Sequence, residues 1–250
     1  MKIAFTIALI AGVGLAGTNL HANDAAEIVR AAWDQLRGLT SYAEATMTIH
    51  RPSWQRSMSM RSWTRGQNDS LVRVTAPRKD AGNATLMMDR NMWSYSPKVN
   101  RVIKVPSSMM NQSWMGSDIS NRDISRADDI VERYEHRLVE RNAQDGLDVY
   151  RIESIPKEDA AVVWGKEVLT IRSDYVVLNH DFYDQDGERV KTLRTLEITE
   201  MGGRTIAKSQ RMEKVDKPDE WTQIDITRMQ FDVELSDNLF TLSNLRNPRE

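Results

Sequence analysis

The stretch from Ala84 to Ile124 reads ATLMMDRNMWSYSPKVNRVIKVPSSMMNQSWMGSDISNRDI. It gathers Met87, Met88, Met92, Met109, Met110 and Met115 with Trp93, Tyr95 and Trp114, set between short strand-like runs. Thioether and aromatic side chains line adaptable apolar surfaces, the first being flexible and polarisable, the second broad and rigid. The stretch holds no nucleophile paired with a base and no cage of metal ligands. Its chemistry is that of holding an apolar body, not of breaking bonds.

Outward from this stretch the pattern is mostly of period two. Ala43, Ala45, Met47 and Ile49 alternate with Glu44, Thr46 and Thr48, as in a half-buried strand. Met58 and Met60 alternate with Ser57, Ser59 and Arg61 in the next. Shorter strands are predicted at 71–75, 84–89, 92–95 and 101–105, with Asn91 and Ser96-Pro97 in turns. Further strands are predicted at 147–155, 163–172, 175–183, 189–199, 204–214 and 221–233. Asp145-Gly146, Asp186-Gly187 and Gly202-Gly203 supply hairpin turns between or before them. The apolar phase shifts between Ile226 and Met229, which predicts a bulge near Thr227. For 125–142 the spacing fits a short helix or loop to Val131, then a strand into Arg141. Many antiparallel strands with short turns imply one large curved sheet or an open barrel.

Ahead of the strands lies one helix, predicted over Asp24–Arg37. Asp24 and Glu27 have capping-box spacing, Ile28, Val29, Ala32 and Leu36 share a face beside Trp33, and Gly38 stops the run. Before it, Met1-Lys2, an apolar run from Ile3 to Ala16 and the small residue Ala22 have the order of a cleaved export leader. That run is shorter than the roughly 20 residues a membrane span needs. The expected product is residues 23–250 as one domain, free in the periplasm. The sequence has no cysteine, so it offers neither disulfides nor a lipid-anchor thiol. A formal net charge of −2 argues against a nucleic-acid partner, which calls for a basic stripe.

Trp93-x-Tyr95-x-Pro97, preceded by the Met58/Met60 strand, Thr75-x-Pro77 and Leu86-Met87-Met88-Asp89, and followed by Arg101-Val102, forms an ordered set. This order resembles the LolA/LolB lipoprotein-carrier superfamily. Trp114-Met115-Gly116-Ser117-Asp118 with Arg122-Asp123-Ile124 resembles more narrowly its LolA-like branch of outer membrane lipoprotein-sorting proteins. The second half agrees: Tyr183-Asp184-x-Asp186-Gly187, Thr192-Leu193, and Leu239-Phe240-Thr241-x-x-Asn244-Leu245. The resemblance implies a mainly β fold with a few helices, an unclosed half-barrel whose concave face the helices cover. It also implies a monomeric carrier that moves lipid or lipoprotein acyl chains between membranes. Such a carrier touches membranes transiently and partners an inner-membrane transporter of the resistance-nodulation-division type. On that reading Met58, Met60, Leu86, Met88, Trp93, Tyr95, Ile103, Met110, Trp114 and Met115 line or close the lipid cavity. Helix 24–37 is part of its lid, and Gly116, Ser117 and Asp118 form a turn at its mouth. The rival reading is a lipid- or lipoprotein-sensing module of the same fold class that docks on an inner-membrane partner.

Plainer readings compete at each feature. Methionine is also ordinary core filler, and the inner wall of a curved sheet is core and pocket at once. Met109, Met110 and Met115 offer thioethers suited to Cu(I), but in no Met-x-x-Met repeat and with no histidine in the segment. His50, His136 and His180 stand singly, so no zinc or iron site is expected. Asp184-x-Asp186-Gly187 lacks the further oxygens of a calcium loop, and Gly116-Ser117-Asp118 is not the G-x-S-x-G of a nucleophile elbow. Neither an enzyme nor a cofactor is therefore expected. Arg78-Lys79-Asp80 reads as a solvated loop or a contact for an anionic headgroup.

Overall fold

The structure, a computed structural model, describes residues 22–248. The predicted leader falls outside that range except for Ala22. Helix α1 (Ala22–Arg37) comes first. A meander follows, of β1 (Thr40–Arg51), β2 (Trp54–Arg65), β3 (Asp69–Ala76), β4 (Ala84–Met88), β5 (Asn91–Ser96) and β6 (Arg101–Lys104). The chain then passes through two 3-10 turns, Ser107–Met109 and Trp114–Gly116, and two short helices, α2 (Asn121–Ser125) and α3 (Asp129–Arg133). A second meander comprises β7 (Tyr134–Gln144), β8 (Leu147–Pro156), β9 (Lys166–Arg172), β10 (Val177–Tyr183), β11 (Arg189–Met201), β12 (Arg204–Lys214) and β13 (Lys217–Phe231). Helix α4 (Leu242–Arg246) closes it.

Among the described residues the thirteen strands form one antiparallel sheet, ordered β6-β5-β4-β3-β2-β1-β13-β12-β11-β10-β9-β8-β7. The first and last strands meet in the middle, and β6 and β7 are the two free edges. The sheet is therefore mainly β, curved and not closed into a barrel. The connection from β6 to β7 has to travel from one edge to the other, and it does so across one face. On the way Trp114 bonds Thr85 of β4, Asp118 bonds Thr222 of β13, and Asp123 pairs with Lys191 of β11. One short segment touches strands six places apart in the sheet, so the sheet curls around it.

Local chemistry explains the turns. Asp145-Gly146 and Gly202-Gly203 have positive φ at both positions, the backbone that a two-residue hairpin needs to match strand twist. At the β1–β13 seam Glu44 faces Arg228 while Ala45 faces Ile226, so Thr227 is the extra residue of a bulge, as its phase shift predicts. Its hydroxyl donates to the Glu44 carbonyl left over by that mismatch. Gly38, at φ +64°, ends α1 in the left-handed conformation. The capping-box reading of Asp24 is corrected: α1 already runs from Ala22, so Asp24 lies in the first turn, where its charge complements the helix dipole. The predicted strand at 163–172 starts only at Lys166. Gly165 there passes so close to Asp184 that a Cβ would lie 2.4 Å from its carbonyl oxygen, and the preceding residues peel away from the sheet.

Strand register divides the side chains between two faces. On the inner face Met47 pairs with Met58, and Ala45 with Met60; Met87 and Met92 follow on β4 and β5. Met110 and Trp114 of the crossing segment seal this cluster. Farther along the same face, Ala25, Val29 and Ala32 of α1 pack on Ile152, Leu169 and Ile171. The outer face carries Trp63, Leu71, Leu86 and Tyr95 beneath Leu239, Phe240 and Leu245 from the C-terminal segment. Arg73 fixes that segment by donating to the carbonyls of Asn244 (2.9 Å) and Leu245 (3.3 Å). Each such buried side chain contributes about 1.5–3 kcal/mol.

Candidate functional site

Beside the sealed methionine cluster, the inner face is left partly open. Between the sheet and the elements crossing it lies an apolar cavity of about 240 Å³. Its floor is built by alternation: Phe182 and His180 on β10, Leu193 on β11, Met212 on β12 and Ile224 on β13 point the same way, since His180 pairs with Leu193, Leu193 with Met212, and Ile224 with Gln210, two residues from Met212. Trp33 and Leu36 of α1, with Ile119, Ile124 and Ile130 of the crossing segment, form the roof. One end is closed by Val162, Val163 and Trp164, the residues that leave the sheet ahead of Gly165. Leu36 is 45% exposed and marks where the cavity reaches solvent.

Few bonds hold the roof. Trp33 Nε1 donates to the Ala127 carbonyl at 2.6 Å, which ties α1 to the crossing segment. Arg204 donates to the last carbonyls of α1, at Asp34 and Gln35. Lys191 Nζ donates to Asp123 at 2.5 Å and lies over the rings of Trp164 and Phe182. The Arg204 and Lys191 bonds are charge-assisted, the Trp33 bond is neutral, and all are local, so the roof is anchored at points and not zipped along its length.

The wall also carries polar groups. Glu167 Oε2 and His180 Nε2 are 2.5 Å apart, both residues being buried, and the His180 ring stacks on Phe182 and meets Trp33 edge-on. The Tyr134 hydroxyl donates to the Trp164 carbonyl at 3.2 Å. Burial, with the Glu167 carboxyl beside it, holds that phenol well above the usual range. At the rim, burial and the neighbouring Arg90 lower the Arg126 pKa, and its Nη1 is buried without a hydrogen-bond partner. Arg90 pairs with Asp128, Asp129 and Glu132 next to it.

The residues expected to line the cavity lie elsewhere. Leu86, Trp93 and Tyr95 sit on the outer face, because Leu86 pairs with Trp93, and Ala84 with Tyr95, on the side facing the C-terminal segment. Met88 shares their parity. Ile103 has inner parity but stands on the edge strand β6 and is 51% exposed. Met58, Met60, Met110 and Trp114 are the sealed core cluster, with Met115 packed against it. The methionine stretch is thus chiefly core. The turn expected at the mouth is instead a strut. Met115 and Gly116 take positive φ, and Ser117 bonds the carbonyls of Trp114 and Ile119. Asp118, its side chain fully buried, accepts from Arg51 twice at 3.0 Å and from Thr222 at 2.7 Å. Asp118 also borders a polar pocket shared with Lys191 and Lys214.

The residues that do line the cavity were in part legible. Glu167 alternates with Leu169 and Ile171, which pack under α1, and His180 alternates with Phe182 in the next strand. A polar residue on the apolar side of a strand is the signal that would have marked Glu167 and His180. Nothing in the sequence showed that the chain from 107 to 133 would fill one half of the bowl and roof the other. Among the described residues no group of three His, Asp or Glu is placed to hold a metal ion.

A curled, unclosed sheet with a roofed apolar hollow defines a binding fold. The sequence matches over residues 66–247 the model of a family described only as an uncharacterized protein. A comparison with curated proteins gives no match. Among solved structures, a DUF1329 family protein from Desulfovibrio piger superposes with a TM-score of 0.80 at 27% identity, over 90% of this chain and 98% of that one. An outer membrane lipoprotein-sorting protein domain from Vibrio parahaemolyticus gives 0.78 at 23%, over 90% and 100%. A LolA superfamily protein from Nitrosomonas europaea gives 0.72 at 23%, over 88% and 98%. The chain belongs to the family its sequence matches, and it shares the fold of these three structures.

Proposed function

We propose that this protein is a periplasmic carrier that shelters an acyl chain of a lipid or lipoprotein in its cavity and moves it between membranes. The observation that supports this most is the cavity itself: apolar, enclosed by sheet and roof, and open beside Leu36. Burying hydrocarbon contributes about 25 cal/mol per Å², so such a site binds a chain without an elaborate polar match. Its volume lies just under the range typical of drug-sized ligand pockets, which favours one chain at a time over several. Arg122 and Arg126 at the rim suit an anionic head. Export follows the leader-like first 22 residues, and among the described residues no helix is long and apolar enough to cross a membrane. The carrier works as a monomer, touches membranes transiently, and exchanges cargo with an inner-membrane transporter of the resistance-nodulation-division type. Release follows when the partner favours the open roof, an equilibrium it shifts only by binding that state better.

The test is direct. The protein is purified from its native periplasm, extracted with organic solvent, and the extract analysed by mass spectrometry. Co-purifying lipid, together with displacement of a fluorescent fatty acid, supports the carrier. Recovery of no lipid and no displacement overturns it.

A further inference from the structure

Plain hydrocarbon needs only a plain wall, yet this cavity has a carboxyl and an imidazole set into its floor. Glu167 and His180 are 5% and 7% exposed, bonded to each other at 2.5 Å, and both face the cavity among Trp33, Tyr134 and Phe182. Burying two such groups is unfavourable unless their hydrogen bonds are satisfied, and an apolar pair of similar size fills this position without that cost. The ladder partners of His180 are apolar, Leu169 on β9 and Leu193 on β11, and Glu167 faces Phe182 on β10. A few placed polar groups in an otherwise apolar pocket are what fix a ligand's orientation.

Resting on the carrier reading, we propose that the Glu167–His180 pair is a specificity element selecting an apolar chain that bears a hydroxyl part-way along its length. A carboxyl oxygen needs a donor, and an imidazole nitrogen takes either role according to its tautomer. A hydroxyl both donates and accepts, so one group serves either partner. An ether or an unsubstituted methylene gives Glu167 no donor. Tyr134, whose hydroxyl is held protonated beside Glu167, extends the same polar spot, while Phe182, Leu193, Met212 and Ile224 keep most of the floor around it apolar.

The experiment measures displacement of a fluorescent fatty acid by three sets of saturated fatty acids of one length: unsubstituted, hydroxylated and methoxylated, the substituent being moved along the chain. At one range of positions the hydroxylated acid is expected to bind about tenfold more tightly than its methoxy counterpart, the worth of one hydrogen bond to a polar wall. That ratio is expected to fall to about one in Glu167→Leu/His180→Met, and to fall part-way in Glu167→Gln, whose shape is conserved. The readout is a ratio of affinities within each folded variant, so a common loss of affinity does not disturb it. Equal affinity for all three sets in the native protein overturns the specificity element and leaves the carrier standing. A ratio that survives in both variants also overturns it. Failure of every set to displace the probe overturns the carrier reading and this inference with it.

Discussion

The Asp118 strut gives the sharpest prediction. Asp118→Ala removes a fully buried carboxylate that accepts two bonds from Arg51 and one from Thr222, with Lys214 Nζ at 3.5 Å. Breaking a buried pair by deleting one partner costs about 3–5 kcal/mol, because the other charge stays behind uncompensated. Here Arg51 keeps Glu220 at 3.2 Å and is 14% exposed, so the loss is reduced to about 2–4 kcal/mol. For a chain of this size that lowers the melting temperature by roughly 5–15 °C. Urea denaturation followed by tryptophan fluorescence reads the loss, and amide exchange should show 110–125 deprotected first. Arg51→Met/Asp118→Leu should be more stable than Asp118→Ala, since no charge is stranded. A cost below about 0.5 kcal/mol for Asp118→Ala, or additivity of the Arg51 and Asp118 single changes, would refute the strut.

Other outcomes follow from the same geometry. Leu193→Trp fills the cavity and should weaken fatty-acid displacement at least tenfold while changing stability by only about 1 kcal/mol; undiminished binding places the ligand elsewhere. Leu245→Ala on the outer face should cost about 2–5 kcal/mol and leave binding by the folded protein unaltered, which parallel melts and titrations check. Trp114→Ala should cost about 3–5 kcal/mol as a core truncation, and a selective loss of binding at intact stability contradicts that assignment. His136 is pushed down to about 4 by burial, with Lys157 adding repulsion. Its folded value lies below the unfolded one near 6.5, so its contribution is complete above pH 6.5 and is lost as pH falls toward 4. His136→Gln should flatten the fall in unfolding free energy between pH 6.5 and 4.5, and an unchanged slope contradicts the assignment.

The sheet was legible because its cause is local. Alternation at 43–49 and 57–61, and paired positive-φ residues at 145–146 and 202–203, dictate strands and hairpins wherever they occur. Even the Thr227 bulge showed as a slip in phase. The site was less legible because its cause is not local. Leu86 and Met87 are adjacent and equally apolar, yet one faces the C-terminal segment and the other the crossing segment. Both faces of β4 are buried, so composition could not tell inside from outside. The Met-rich stretch looked like a pocket because methionine fills irregular space, and here that space is filled by the same stretch folding back onto its own strands.

The meeting of β1 and β13 at the middle of the sheet also bears on how the chain reaches this state. Every other strand pair joins sequence neighbours through a turn or a loop of at most nine residues, whereas the seam joins Ser41 to Phe231, a loop of about 190 residues to close. Two meanders can therefore form early and independently, and their union is the late, slow event that high contact order predicts. Until then β1 and β13 are two long unpaired edges of one molecule, each able to pair with a foreign strand. Once they zip, the edges left among the described residues are the short β6 and the largely polar β7. A substitution at the seam should thus act first on yield and aggregation during refolding, before any effect on the finished protein is measurable.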